Sequence, residues 1–111
     1  SEIPNLIDFF LKEPSYEASL LSWKESNTED TKAALLKAKE LLQGVGEWKQ
    51  DNIAEPLLKA TETYDNKGYL LWPLRVALTG KENSAGPFEV AAVLKKDVSI
   101  QRVEQAIAKL S

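Results

Sequence analysis

The chain has 111 residues, with 14 Lys and Arg side chains against 17 Asp and Glu, a formal net charge of −3, and no His, Cys or Met. The absence of Cys excludes disulfides, thiolate zinc sites and cysteine nucleophiles, and the absence of His excludes imidazole-based triads and histidine proton shuttles. A hydrophobic fraction of 43% and a charged fraction of 28% are typical of one soluble globular domain. The acidic pI, near 5.0, argues against a general nucleic-acid-binding protein.

The sequence contains no apolar run of about 18 residues and does not start with a charged segment followed by an apolar one. We therefore expect neither a membrane span nor a signal peptide, and we expect a cytoplasmic location. The absence of Met leads us to expect a fragment of a longer protein.

In the N-terminal part, apolar residues recur three and four positions apart, which predicts amphipathic helices. These helices are expected at residues 3–11, 16–23, 29–43 and 52–64. Asn27 or Thr28 is expected to cap the third helix. For the fourth helix, Asn52 and Glu55 resemble a capping box, and Pro56 falls in the expected first turn.

Shorter helices are predicted in the C-terminal part. Residues 69–72 can be a short extended piece, because a residue before proline disfavours helical backbone angles. Pro73 is then expected to start a helix that ends at Gly80. A polar loop follows at residues 81–86, and Pro87 is expected to start the next helix.

The last predicted helix is capped by Asp97 or Ser99 and carries an apolar stripe to Leu110. No segment shows a convincing strand alternation. The predicted fold is therefore all-α, a compact helical bundle of about six to seven helices.

Catalytic motifs are missing from the sequence. The few glycines form no phosphate-binding loop, and no pair of acidic residues has surroundings suited to general acid–base chemistry. We therefore expect a binding function rather than an active site within this chain.

The segment from Trp72 onward is the most unusual part of the sequence. Pro73 and Pro87 mark two expected helix N-termini, whose unpaired amides suit an anion or an acceptor atom of a base. Arg75 would lie in the first turn of its helix, where the helix dipole disfavours a cation that has no anionic or π-rich partner. The alternative is that Arg75 pairs with Glu89 or another acid. Trp72 can stay exposed and stack on an unpaired base.

Charge is distributed unevenly along the chain. Residues 1–67 contain 8 basic and 13 acidic side chains, whereas residues 68–111 contain 6 basic and 4 acidic ones. We expect only the second part to approach phosphates.

Sequence motifs in this second part resemble a known family. Residues 74–80 read LRVALTG and residues 86–90 read GPFEV; residues 97–107 form a closing helix with an internal Arg102. Residues 9–20 add a Phe-Phe, Pro and Tyr pattern. Together these segments resemble the C-terminal end of bacterial glutamyl-tRNA synthetases, in which a PLRxALTG helix precedes a PGLFE helix, and the resemblance spans nearly the whole chain.

The resemblance implies a non-catalytic, α-helical anticodon-binding domain at residues 26–111, preceded at residues 1–25 by a junction from the preceding anticodon-binding domain. The family activates glutamate in an N-terminal Rossmann domain with HIGH-like and KMSKS-like motifs, which do not occur here. ATP and Mg would bind that domain, so this chain is expected to hold no cofactor or metal, to have no catalytic residue and to be inactive alone. The implied partners are tRNA, through its anticodon loop, and the rest of the synthetase chain; a monomer is expected.

The resemblance also implies a set of residues that contact anticodon bases. Carried onto this chain, they are Trp72, Arg75, Ser84, Ala85, Gly86 and Pro87. Ser84 keeps a hydroxyl where the family commonly has Thr, whereas Pro87 replaces a Leu and removes an amide. Trp72 stands where the family often has a polar residue, so stacking would replace hydrogen bonding there. The alternative function is a helical protein-interaction module that uses the face of residues 16–23.

Overall fold

The computed structural model describes residues 16–23, 26–80 and 86–110. Within these residues the α-helices are α1 Thr28–Gln43, α2 Gln50–Ala60, α3 Gly68–Thr79, α4 Pro87–Leu94 and α5 Lys96–Leu110, with 3-10 helices at Ala18–Leu21 and Thr61–Thr63. The described part of the chain contains no strand, which confirms the all-α prediction.

The predicted number of six to seven helices is slightly too high for the described residues, which form five α-helices. The segment at 16–23 forms only a single 3-10 turn, Ala18–Leu21, instead of an amphipathic helix. The predicted helix at residues 3–11 lies outside the described residues. So does most of the predicted loop at 81–86.

Helix α1 begins and ends where its local sequence predicts. Asn27 is its N-cap, with the side-chain Oδ1 accepting a hydrogen bond of 2.7 Å from the backbone amide of Asp30. Glu29 and Asp30 place carboxylates at the positive end of the helix dipole. Gly44 follows as the C-cap. Both ends depend on side chains close in sequence, which is why they were predictable.

Two prolines lie inside helices, contrary to prediction. Helix α2 begins at Gln50, so Pro56 is an interior residue, and Asn52 does not cap the helix but donates from Nδ2 to the Glu47 carbonyl at 3.0 Å. Helix α3 begins at Gly68, so the prediction that Pro73 starts this helix is wrong, as is an extended conformation for residues 69–72.

The start of α3 is explained by burial. An interior proline removes one helical hydrogen bond and costs about 3 kcal/mol. Leu70 and Leu74, on either side of Pro73 in the sequence, are buried almost completely in the core. Burying two such side chains stabilises the fold by about 1.5–3 kcal/mol each, which offsets the cost of the proline.

The helices pack around one core. Helix α1 packs against α3 and α5, α2 packs against α4, and α3, α4 and α5 contact one another. The largest fully buried side chains are Leu21, Leu35, Leu42, Ile53, Leu57, Leu70, Leu74, Leu78, Leu94, Val76, Val90 and Val103. None of the helices in the described residues is long and apolar enough to cross a membrane.

The segment at 16–23 belongs to the same core. Leu21 is fully buried, and the ring of Trp23 packs edge-on against Tyr69 with the ring centroids 4.9 Å apart. On α5, the Lys109 ammonium lies 4.8 Å from the centroid of the Tyr16 ring and donates to the Tyr16 carbonyl at 3.3 Å. The segment is therefore fixed to α3 and α5.

Candidate nucleic-acid interface

Trp72 and Arg75 lie on one face of α3. They are three residues apart, and residues at this spacing are neighbours on a helix surface. Both are partly exposed, whereas most other residues of the second half of α3 are buried. The structure therefore brings these two predicted site residues together on the side of α3 that is least covered by the core.

Trp72 is more closely integrated into the fold than its sequence position suggests. Its indole Nε1 donates a hydrogen bond of 2.8 Å to the main-chain carbonyl of Leu20, and the ring packs against the core. The indole N–H is thus used within the protein. What Trp72 can offer a ligand is the remaining exposed surface of its ring, which suits stacking.

Arg75 does not lie in a first helical turn, as the sequence predicted, because α3 begins at Gly68. Among the described residues, its guanidinium forms no hydrogen bond and no ion pair, and the alternative pairing with Glu89 is not formed. The Arg75 carbonyl accepts a hydrogen bond of 2.9 Å from the Thr79 hydroxyl. The backbone of Arg75 is therefore tied to the end of the helix, while its planar, charged side chain has no partner within the part of the chain that the structure describes.

Gly86 and Pro87 form the start of α4, as predicted. Pro87 occupies the first turn, where its missing amide hydrogen has no intrahelical role, and Gly86 is the N-cap residue. The Gly86 carbonyl accepts the first helical bond, from the Val90 amide at 3.0 Å. Pro87 is buried and Gly86 is partly exposed, so Gly86 is the more accessible of the two. Ser84 and Ala85 lie outside the described residues.

Two polar residues of α5 contact the helices that carry these positions. Ser99 Oγ donates to the Ala91 carbonyl of α4 at 3.2 Å, and Arg102 Nη1 donates to the Leu78 carbonyl of α3 at 2.8 Å. Ser99 is fully buried and Arg102 is 3% exposed. Sequence reasoning assigned neither contact, although both residues fall among the apolar positions of the last helix and so on its inner face.

Most other basic side chains that the structure describes from residue 68 onward form contacts within the protein. Lys96 donates to the Gln43 and Val45 carbonyls at 3.1 and 2.8 Å, which ties α5 to the end of α1. Lys109 is held over Tyr16. Of the basic residues from 68 onward that the structure describes, Arg75 and Lys95 make no side-chain hydrogen bond or ion pair to another described residue.

Two tyrosines outside the predicted site have raised pKa values. Burial raises the pKa of Tyr16 to about 12, and burial also raises the pKa of Tyr64. In the described part of the chain, His, Cys, Asp and Glu side chains form no cluster that could hold a metal ion. Trp72 and Arg75 on α3 can supply a stacking surface and a cation, and Gly86 at the start of α4 can supply a backbone amide, which are means of binding.

Comparisons with known proteins assign the chain to a family. Residues 1–107 match the family model described as anticodon binding domain. The chain is 34% identical over 114 aligned positions to glutamate–tRNA ligases from Clostridium acetobutylicum, Clostridium tetani and Clostridium kluyveri. Each alignment covers 99% of this chain but 24%, 23% and 23% of the respective ligase, in its C-terminal region. The chain thus spans about a quarter of the length of these curated relatives.

Proposed function

This chain belongs to the anticodon binding domain family, and we propose that it is the C-terminal anticodon-binding region of a glutamate–tRNA ligase. Its task is to hold unpaired anticodon bases of a glutamate tRNA. Glutamate activation with ATP and Mg takes place in the part of the ligase outside this chain, so the chain alone has no ligase activity.

The proposal rests mainly on the exposure of the Arg75 side chain and on its lack of an ionic partner among the described residues. Arg75 is partly exposed, forms no ion pair with any described residue, and follows Trp72 by three positions on α3, a spacing that makes the two residues neighbours on the helix surface. Unpaired RNA bases are recognised by stacking on aromatic rings and guanidinium planes and by hydrogen bonds to their exposed edges. Arg75 can provide both kinds of contact, and Trp72 can provide a stacking surface.

The partners follow from the same proposal. The anticodon loop of the tRNA occupies the face of Trp72 and Arg75 and the start of α4 at Gly86, and the predicted contacts of Ser84 and Ala85 belong to this proposal. The remainder of the ligase chain is the second partner. We place the ligase in the cytoplasm, where its tRNA substrate is found, and we expect this chain to be a monomer.

The alternative, a protein-interaction module that uses residues 16–23, is not favoured. Its apolar side chains are already engaged inside the molecule: Leu21 is fully buried, Trp23 packs on Tyr69, and Leu20 packs against the core. This face therefore has little apolar surface left for a partner.

The proposal is tested by titrating the chain with a hairpin RNA that carries the glutamate anticodon loop. We expect Arg75→Ala to weaken binding by about tenfold or more, since contacts of this kind contribute about 1–3 kcal/mol. The helical circular dichroism spectrum of the variant should be unchanged, because the Arg75 side chain has no described hydrogen-bonding or ionic partner within the protein.

Lys59→Ala is the matched control, because Lys59 is an exposed cation on α2, on the acidic part of the molecule. It removes the same charge and should leave the affinity unchanged within about twofold. An Arg75→Ala variant that binds as tightly as the parent chain would show that Arg75 does not contact the RNA.

A further inference from the structure

Helix α5 holds the two helices that carry the proposed RNA site. Ser99 and Arg102 are three residues apart and therefore lie on one face of α5. Ser99 donates to the Ala91 carbonyl of α4, and Arg102 donates to the Leu78 carbonyl of α3. We propose that Ser99 and Arg102 are positioning residues, which fix α3 relative to α4 and thereby align Arg75 with Gly86 for one RNA ligand. This inference rests on the proposed function.

The hydrogen bond from Arg102 is made to a carbonyl in the last turn of α3. The last carbonyls of a helix have no partner within the helix, and a cation is favoured at this end of the helix dipole. The Gly80 amide satisfies the Val76 carbonyl at 2.7 Å, and Arg102 satisfies that of Leu78 at 2.8 Å. Leu78 lies one turn after Arg75 on α3. A rotation or shift of α3 that moved Arg75 would also lengthen the bond to Arg102.

The Ser99 hydroxyl is one of three groups that donate a hydrogen bond to the Ala91 carbonyl of α4. The Ala91 carbonyl accepts from Ser99 Oγ at 3.2 Å, from the Trp48 indole Nε1 at 2.9 Å and from the Lys95 amide at 3.1 Å. Donors from three different parts of the chain thus converge on one acceptor. They hold α4 from the side of α5 and from the side of the α1–α2 connection, so the start of α4 at Gly86 is fixed as well.

Stability alone does not require a guanidinium at position 102. Removing an ionised group from water is unfavourable, and well-packed apolar side chains of similar volume often replace buried charges without loss of stability. Arg102 is nevertheless only 3% exposed, and its Nη1 donates to the Leu78 carbonyl of α3. We interpret the directional bond as the reason for the arginine, because an apolar side chain would fill the same space without fixing the position of α3.

The first experiment compares Arg102→Met with Thr31→Val in the hairpin RNA titration. Thr31 is also fully buried and donates to the Asn27 carbonyl at 2.8 Å, and its hydroxyl lies 3.1 and 3.3 Å from the hydroxyls of Ser22 and Ser26. None of these partners belongs to α3 or α4. We expect Arg102→Met to weaken RNA binding by about fivefold or more and to reduce the discrimination between the glutamate anticodon and a base-substituted loop. Thr31→Val should leave both quantities unchanged even where it lowers the melting temperature by a similar amount.

A double-mutant cycle of Arg75→Ala and Arg102→Met tests the connection between the two residues. If Arg102 acts by placing Arg75, then removing Arg102 from a chain that already lacks Arg75 should weaken binding less than removing it from the parent chain. Arg102→Lys keeps a donor and a charge and should restore part of the affinity lost in Arg102→Met. Ser99→Ala removes the other bond without changing charge and should weaken binding in the same direction.

The results of these titrations distinguish the proposed RNA-binding function from the positioning role of Ser99 and Arg102. If the parent chain does not bind the hairpin RNA, the proposed function fails and this inference fails with it. If the parent chain binds and folded Arg102→Met binds equally well with unchanged discrimination, only the positioning role is overturned. Should Arg102→Met not fold, Arg102→Lys and Ser99→Ala decide the question: parent-like affinity and discrimination in both would overturn it.

Discussion

Lys95 holds a strained backbone conformation between α4 and α5. Its φ is 76° and its ψ is 164°, a region that residues with a Cβ atom rarely adopt and glycine adopts readily. The conformation is imposed by the neighbouring helices. The Lys95 amide closes the end of α4 on the Ala91 carbonyl, and the Lys95 carbonyl accepts from the Ser99 amide at 3.0 Å. Lys95 is therefore the only residue between the two helices.

Replacing Lys95 with glycine should stabilise the protein. Strain of this kind costs about 1–3 kcal/mol, while the added freedom of glycine in the unfolded chain costs about 0.4–1 kcal/mol. We expect Lys95→Gly to raise the free energy of unfolding by about 1 kcal/mol, measured by urea denaturation. Lys95→Ala, which keeps the Cβ, is the control and should bring no such gain. Equal stability of the two variants would contradict the assignment of strain.

Trp72 illustrates which residue-level features can be predicted from sequence. The sequence predicted that Trp72 can stay exposed ahead of Pro73; Trp72 is partly exposed, but it lies inside α3 rather than before it, so its neighbourhood with Arg75 on one helix was not predicted. The hydrogen bond to the Leu20 carbonyl was not predicted either, because its partner is distant in the sequence and is brought near only by packing of the whole molecule. The same holds for Arg102 and Leu78, whose pairing depends on how α5 crosses α3.

At the scale of the elements, the start of α3 depends on close packing against Trp23. A Cβ added at Gly68 would lie 2.5 Å from Cε2 and 2.7 Å from Cδ2 of the Trp23 ring, closer than carbon atoms can approach. Trp23 in turn rests on Tyr69, so its ring has little room to withdraw. Gly68 therefore allows the segment at 16–23 to lie directly on the first turn of α3.

Gly68→Ala should lower the free energy of unfolding by about 1–3 kcal/mol, because overpacking displaces the Trp23 ring. The tryptophan fluorescence spectrum should shift as the ring becomes more exposed. Gly46→Ala is the matched control, since a Cβ there meets no atom within 4 Å. It should leave stability unchanged within about 0.5 kcal/mol. If the two variants were equally stable, the close contact would not exist.

The helix ends show which parts of the fold could be predicted. The N-cap of α1 at Asn27, the end of α3 at Gly80 in a left-handed conformation, and the start of α4 at Pro87 all follow from side chains at the ends themselves. The starts of α2 and α3 were missed because tertiary burial overrides the local preference of Pro56 and Pro73. The position of Arg75 along α3 was missed for the same reason.

At the scale of the whole molecule, the net charge is the sum of two parts of the chain with opposite charge balance. The acidic excess lies in residues 1–67, whereas residues 68–111 carry a small basic excess. Within that second part Arg102 is buried, and Lys96 and Lys109 are engaged with carbonyls of the protein. Few cations therefore remain for phosphates, and we infer that contacts to bases contribute more to RNA affinity than contacts to the backbone.

Calorimetry with two hairpin RNAs measures most directly whether the chain recognises anticodon bases. The 111-residue chain is titrated calorimetrically with two hairpin RNAs of identical length and stem, one with the glutamate anticodon and one with its anticodon bases replaced. Both RNAs present the same phosphate charge, so only base recognition distinguishes them. We expect the glutamate anticodon hairpin to bind about tenfold or more tightly than the substituted one. Equal affinity for the two hairpins, or binding of neither, would contradict the claim that this chain holds unpaired anticodon bases.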